Sequence, residues 1–224
     1  MKKIEFLFVA IILFMSSCQK DDSFYSCDPN INSWIKSHLT EIGQMSRNDL
    51  IVKKPSVQVA IFRAFSSSQR FQLWNDKIDE VLELGWSDQE QSHILTLRVT
   101  LKEEWFTDEF KRDSLKSQQV HLFLKNWCLE GMARFGWTKK LIGGMVARTE
   151  RLTNKQGTLE TNGLESTRAA IATDSEDSCN CNQSDDWCPQ VGGSGRCKNE
   201  TCSGSSWGCG TLWLDPCNGI CRLF

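Results

Sequence analysis

Cysteine is the residue type best placed to do chemistry in this sequence. Eleven cysteines occur in 224 residues. Eight of them fall in the last 46: Cys179, Cys181, Cys188, Cys197, Cys202, Cys209, Cys217 and Cys221. A unit that short cannot stand on an apolar core alone. Oxidised in pairs, its thiols would contribute roughly 2–4 kcal/mol per crosslink. The spacing selects no single connectivity. A thiolate metal cluster is the rival chemistry. It needs reduced thiols and repeated Cys-x-x-Cys pairs, and the segment offers Cys179-Asn180-Cys181 and no Cys-x-x-Cys. No metal or other cofactor is therefore expected. Further chemistry is sparse. His38, His93 and His121 are scattered, and His-Glu-x-x-His and phosphate-loop patterns are missing. The carboxylate pairs Glu103-Glu104 and Asp108-Glu109 read as solvated helix faces. The sequence thus points away from an enzyme. A net charge of −2, from 26 basic and 28 acidic residues, argues against nucleic acid as a partner.

Thiols oxidise outside the cytoplasm, so the address matters. Lys2 and Lys3 precede an unbroken apolar run of ten residues, Phe6 to Met15. That run is too short for about 30 Å of hydrocarbon and fits a secretory signal. Met15-Ser16-Ser17-Cys18 resembles the lipobox of bacterial lipoproteins, with Met15 where Leu is usual. The resemblance implies a signal peptide over 1–17 and an acylated Cys18 that anchors the chain in a membrane, followed by a tether over 18–27. Gln19-Lys20-Asp21-Asp22 resembles the acidic surface-export signal of Bacteroidetes lipoproteins and implies an outer-membrane protein displayed on the cell surface. Ten cysteines then remain in the mature chain. Cys27 and Cys128 stand apart from the cluster; they either crosslink to each other or persist as two buried thiols.

Apolar residues make up 40% of the chain, enough to build a core. The fold class expected is a mainly α helical body plus a small disulfide-rich C-terminal module with little regular structure or short β-strands. Residues 28–150 read as successive amphipathic helices. Asp28 and Pro29 open the first, and Ile31, Trp34, Ile35, Leu39, Ile42 and Met45 form its stripe. Val57 to Phe65 is apolar but fits helix or strand. Leu84-Gly85-Trp86-Ser87 and Phe135-Gly136-Trp137-Thr138 look like two copies of one corner, with Gly ending a helix and Ser or Thr capping the next. Ile94, Leu97, Leu101 and Trp105 are expected inward, as are Leu115, Leu122, Leu124, Trp127 and Met132. Gly143-Gly144 reads as a helix end. Residues 151–178 contain no aromatic residue and read as an exposed linker.

Residues 179–224 carry a resemblance to a known family. Cys179-Asn180-Cys181, Asp186-Trp187-Cys188-Pro189, Gly208-Cys209-Gly210-Thr211-Leu212-Trp213 and Cys217-Asn218-Gly219 are similar to segments of the fulvocin C-related bacteriocin family. Cys221 falls later than the family pattern places its counterpart. The resemblance covers the last fifth of the chain. It implies a cysteine-stabilised bacteriocin-like fold acting against competing bacteria, or its precursor, and brings no catalytic residues. A non-toxic surface adhesion module is the alternative. Trp187, Trp207 and Trp213 are candidate contacts to a target-cell membrane or receptor, since indoles favour wet–dry boundaries; alternatively they cover the disulfides as a core. The sequence sets no oligomeric state.

Overall fold

The computed structural model describes residues 24–160, 180–188, 195–199 and 207–222. The signal region, the lipid-anchor candidate Cys18, most of the expected linker, Cys179 and Cys202 lie outside the described residues.

The body is helical, and local chemistry sets most of its boundaries. Helix α1, Pro29–Ser37, begins where the Asp28 carboxylate accepts the N–H groups of Asn30 and Ile31. Its stripe does not run on as one helix. The chain breaks at His38 and restarts as α2, Leu39–Ile42, and then α3, Arg47–Ile51. The undecided apolar segment is a helix, α4, Pro55–Ala64, with Ala60, Ile61 and Phe62 fully buried. Capping boxes at Ser66 with Gln69 and Ser87 with Glu90 start α5, Ser67–Leu82, and α6, Asp88–Thr100. Leu101 and Trp105 are buried as expected, but beyond the end of α6, with Trp105 in a 3-10 turn. Three more helices follow: α7, Asp108–Arg112; α8, Ser114–Phe135; and α9, Lys139–Val146.

The two Gly-Trp corners are real and pack on each other. Gly85 and Gly136 adopt φ of 66° and 68°, where a Cβ would be strained. Ser87 and Thr138 cap the helices that follow. The Trp86 and Trp137 rings meet at 5.4 Å between centroids. Trp137 Nε1 donates to the Glu90 carboxylate at 3.0 Å. Despite its partial burial, that carboxyl lies well down, at about 2, because Ser87, Trp137 and Lys155 all donate to it.

Four expectations need correction here. Leu115 and Leu122 do not face the core; they are 72% and 58% exposed. Gly143-Gly144 lies inside α9 rather than at its end, with Trp187 seated against Gly143 and Leu152 against Gly144. Residues 151–160 are not loose spacer. They form a turn closed by a bridge between Leu152 and Leu159, and Leu152 is 1% exposed. Within the expected tether, too, residues 25 and 26 are docked. Arg63 Nη1 donates to Tyr25 O at 2.9 Å, and Ser26 is buried.

The C-terminal segment is braced by disulfides Cys181–Cys197, Cys188–Cys221 and Cys209–Cys217. Its regular structure is one antiparallel pair, β1, Arg196–Asn199, against β2, Gly219–Arg222, with Cys197 opposite Cys221. No helix among the described residues is long and apolar enough to cross a membrane.

Candidate functional site

The disulfide-braced segment returns to the helical body as a stapled loop, Trp207 to Cys217. Cys209–Cys217 spans eight positions and holds the loop closed. Within it, Leu212 and Trp213 adopt φ of 54° and 53°. Two successive left-handed L-residues are costly, about 1–3 kcal/mol each, and survive only where the surroundings over-determine them. Here the staple and burial do so: Leu212, Trp213 and Leu214 are 0%, 8% and 3% exposed, in the same core as Ile35, Phe62 and Trp74.

Trp213 is the central plug. Its ring meets Phe62 edge-on at 5.1 Å and Trp74 at 5.9 Å. Its Nε1 donates to Ala147 O at 3.0 Å, at the end of α9. Trp207 is gripped by charge. The Arg70 guanidinium lies 4.6 Å and the Lys111 ammonium 3.7 Å from its ring centre. Arg63 Nε donates to Trp207 O at 3.0 Å. Burial pushes Arg63 and Arg70 down to about 10 and Lys111 down to about 7. Trp187 is half-buried and its Nε1 donates to Thr211 Oγ1 at 3.0 Å. In the folded chain Trp207 and Trp213 are buried in the core of the helical body, so neither indole is presented at the surface in this state. The reason is simple. A short cystine segment has too little apolar mass to bury two indoles, whereas the cleft between α4, α5, α7 and α9 has room for both.

Under the loop lies a polar floor. His121, on α8, has Nδ1 2.7 Å from Ser117 O and Nε2 2.9 Å from Asp215 Oδ1. Both neighbours are acceptors, so both ring nitrogens carry protons. The ion pair with Asp215 raises His121 to about 9, against the cost of partial burial. An imidazolium with both nitrogens committed has no lone pair to act as a base; it locks α8 to the loop. Asp185 accepts the Thr211 N–H, and burial raises its carboxyl. A Cβ on Gly210 would lie 2.3 Å from Asp215 Oδ2 and 3.0 Å from Asp185 Oδ2. Two carboxylates thus converge on one glycine, and Asp215 Oδ2 is buried without a hydrogen-bond donor among the described residues.

The remaining predicted residues separate. Cys181, Cys188 and Cys197 bring three sulfurs within 4.8 Å of one another, but each is tied up in a disulfide. Cys27 and Cys128 are not bonded to each other, against the crosslink weighed for them. Cys27 lies beside Arg63, whereas Cys128 lies on α8 near Asp185. Burial pushes the Cys128 thiol up to about 12, so it stays protonated. His93 stacks on Trp127 at 5.0 Å and 4° and closes α6 onto α8. A groove of about 410 Å³ runs alongside, with Ser92, Thr96, Phe123 and Asn126 in its walls.

Sequence reasoning passed over Arg63, Arg70, Lys111, Asp185 and Asp215. One signal was available: Arg63 interrupts the apolar run from Val57 to Phe65, and a cation inside a core helix needs acceptors from elsewhere. Searches of family models, curated proteins and solved structures gave no match to this chain.

Proposed function

We propose that this protein is an exported lipoprotein, anchored through Cys18 at the outer membrane and exposed at the cell surface, that carries a fulvocin C-like bacteriocin unit in stored form. Burial of the loop's apolar face supports the precursor form of this reading. Trp207, Leu212, Trp213 and Leu214 make up the part of the cystine segment most able to enter a membrane or a receptor pocket, and the helical body covers them. In this state the segment is silent. Separation from the body would expose two indoles and two leucines on a braced scaffold, a composition suited to a wet–dry boundary.

The test uses the whole oxidised chain with one specific protease site placed within residues 161–178. Intact protein should leave related strains growing normally, and cut protein should inhibit them. Full growth of a broad panel in the presence of cut, correctly oxidised protein would overturn the reading. A non-toxic adhesion lipoprotein is the second reading. The continuous core favours it, because a tail that completes the core has a structural role without being released. Binding of the uncut protein to cell-surface glycans or proteins, with no growth effect after cutting, would select it.

A further inference from the structure

Arg63, in the last turn of α4, holds two distant pieces of chain at once. Its Nη1 donates to Tyr25 O at 2.9 Å and its Nε to Trp207 O at 3.0 Å, partners 38 positions before it and 144 after. Among the described residues no carboxylate pairs with it, so these two carbonyls are what offset its burial. Tyr25 is fixed from its other side as well, where its N–H donates to Asn32 Oδ1 on α1 at 2.9 Å. Ser26 is 6% exposed, and its Oγ accepts the Asp28 N–H at 3.1 Å. Residues 25–28 thus lie as a strap where α1 packs on α4.

On the loop side the approach is close. A Cβ on Gly208 would lie 2.6 Å from Val59 Cγ1 and 3.3 Å from Arg63 Nε. A second cation repeats the link. Arg70 Nη2 donates to Arg63 O at 2.8 Å, the Arg70 guanidinium lies over the Trp207 ring, and Tyr25 is near enough to act on its charge.

We propose that residues 25–28 hold the stapled loop shut through Arg63, so that detaching this strap loosens Trp207 and the loop behind it. With Tyr25 O in place the guanidinium is aimed and screened from water, and its bond to Trp207 O forms without further ordering cost. With the strap gone the side chain regains its rotamers and its water, and that bond weakens. The coupling is reciprocal: a seated loop tightens the strap by the same factor. Its use as a release device rests on the stored-form reading above. Seven residues, at most about 25 Å of extended chain, join Cys18 to Tyr25. Tension from a lipid anchor therefore arrives first at Arg63 and Asn32, and removal of the strap is a route to opening the loop besides cutting within residues 161–178.

Hydrogen exchange read by mass spectrometry tests this on the oxidised chain from residue 18 onward with Cys18→Ser. The amides of Gly208, Cys209 and Asp215 are bonded inside the loop and report its opening. Asn32→Ala, which frees the Tyr25 N–H from α1, should speed their exchange. The chain begun at residue 28, which keeps the Asp28 cap, should speed it roughly 5- to 100-fold, with exchange in α6 unchanged. In an Arg63→Met background Asn32→Ala should add nothing, because the link is already cut. Unchanged loop exchange in the chain without its strap overturns the proposal. So does equal acceleration in the loop and in α6, which marks general destabilisation, or an Asn32→Ala effect that persists undiminished beside Arg63→Met. Growth inhibition plays no part in this readout, so the stored-toxin reading and the strap fail separately.

Discussion

Trp213→Ala tests whether the stapled loop and the helical body are one cooperative unit. The indole is 8% exposed, meets Phe62 and Trp74 edge-on, and donates to Ala147 O at 3.0 Å. Truncating a core Trp to Ala costs about 3–5 kcal/mol through lost burial and the cavity left behind. That figure already includes the two ring contacts, worth roughly 0.5–1.5 kcal/mol each. Stranding the Ala147 carbonyl adds about 1 kcal/mol. The sum, about 4–6 kcal/mol, is a large share of the roughly 5–15 kcal/mol that holds a typical domain together. The informative signal is helical. Urea denaturation of the oxidised protein, followed by far-UV circular dichroism, reads the helices, which lie almost wholly in the body. The variant's midpoint should fall sharply. Trp187→Ala, at a half-buried ring, should lower it less. If Trp213→Ala left the helical transition in place, the loop would be a passenger and the shared-core reasoning would fail.

Two further predictions concern the polar floor. His121 is raised from its ordinary value near 6.5 to about 9 in the folded protein. Its ion pair therefore stabilises fully below about pH 6.5 and is lost as pH rises through 9. His121→Gln should be less stable than the parent at pH 6, with the gap closing by pH 9.5, as read from paired urea midpoints. Comparing the two proteins cancels the opposite trend from Lys111, whose buried ammonium is held down near 7. A gap independent of pH would mean that His121 contributes only through shape. Gly210→Ala places a methyl group on the two converging carboxylates, in a backbone conformation of φ 73° that a side chain strains. It should cost about 2–4 kcal/mol from combined strain and overpacking, whereas Gly85→Ala has open space around it and should cost only the backbone strain.

Much of the helical layout was legible because capping is local. Asp28, Ser87 and Thr138 announce helix starts within three or four residues, and Gly85 and Gly136 announce stops. Oxidised cysteine in the tail was legible from the density of cysteines in a segment too short for a core of its own. The inward assignment of Leu115 and Leu122 failed because helical periodicity shows that a face is apolar, not what covers it. Where the tail's apolar side chains lodge was illegible for a related reason. A tally of Trp and Leu per residue shows surplus apolar mass but not where it goes. The polar floor was invisible because its members, His121, Asp185 and Asp215, lie up to 94 positions apart, and no local pattern joins them.

The plug at Trp213 also carries a consequence for timing. It sits 66 positions after the carbonyl it caps, so the early helices wait with an open cleft until a much later stretch has emerged and been crosslinked. Under the export proposed above, a reducing cytosol would keep the staple from Cys209 to Cys217 open and leave the cleft unfilled while the chain is threaded across a bilayer. On that proposal maturation is coupled to arrival: the last covalent step would happen where oxidant is present, and the first half would settle only then.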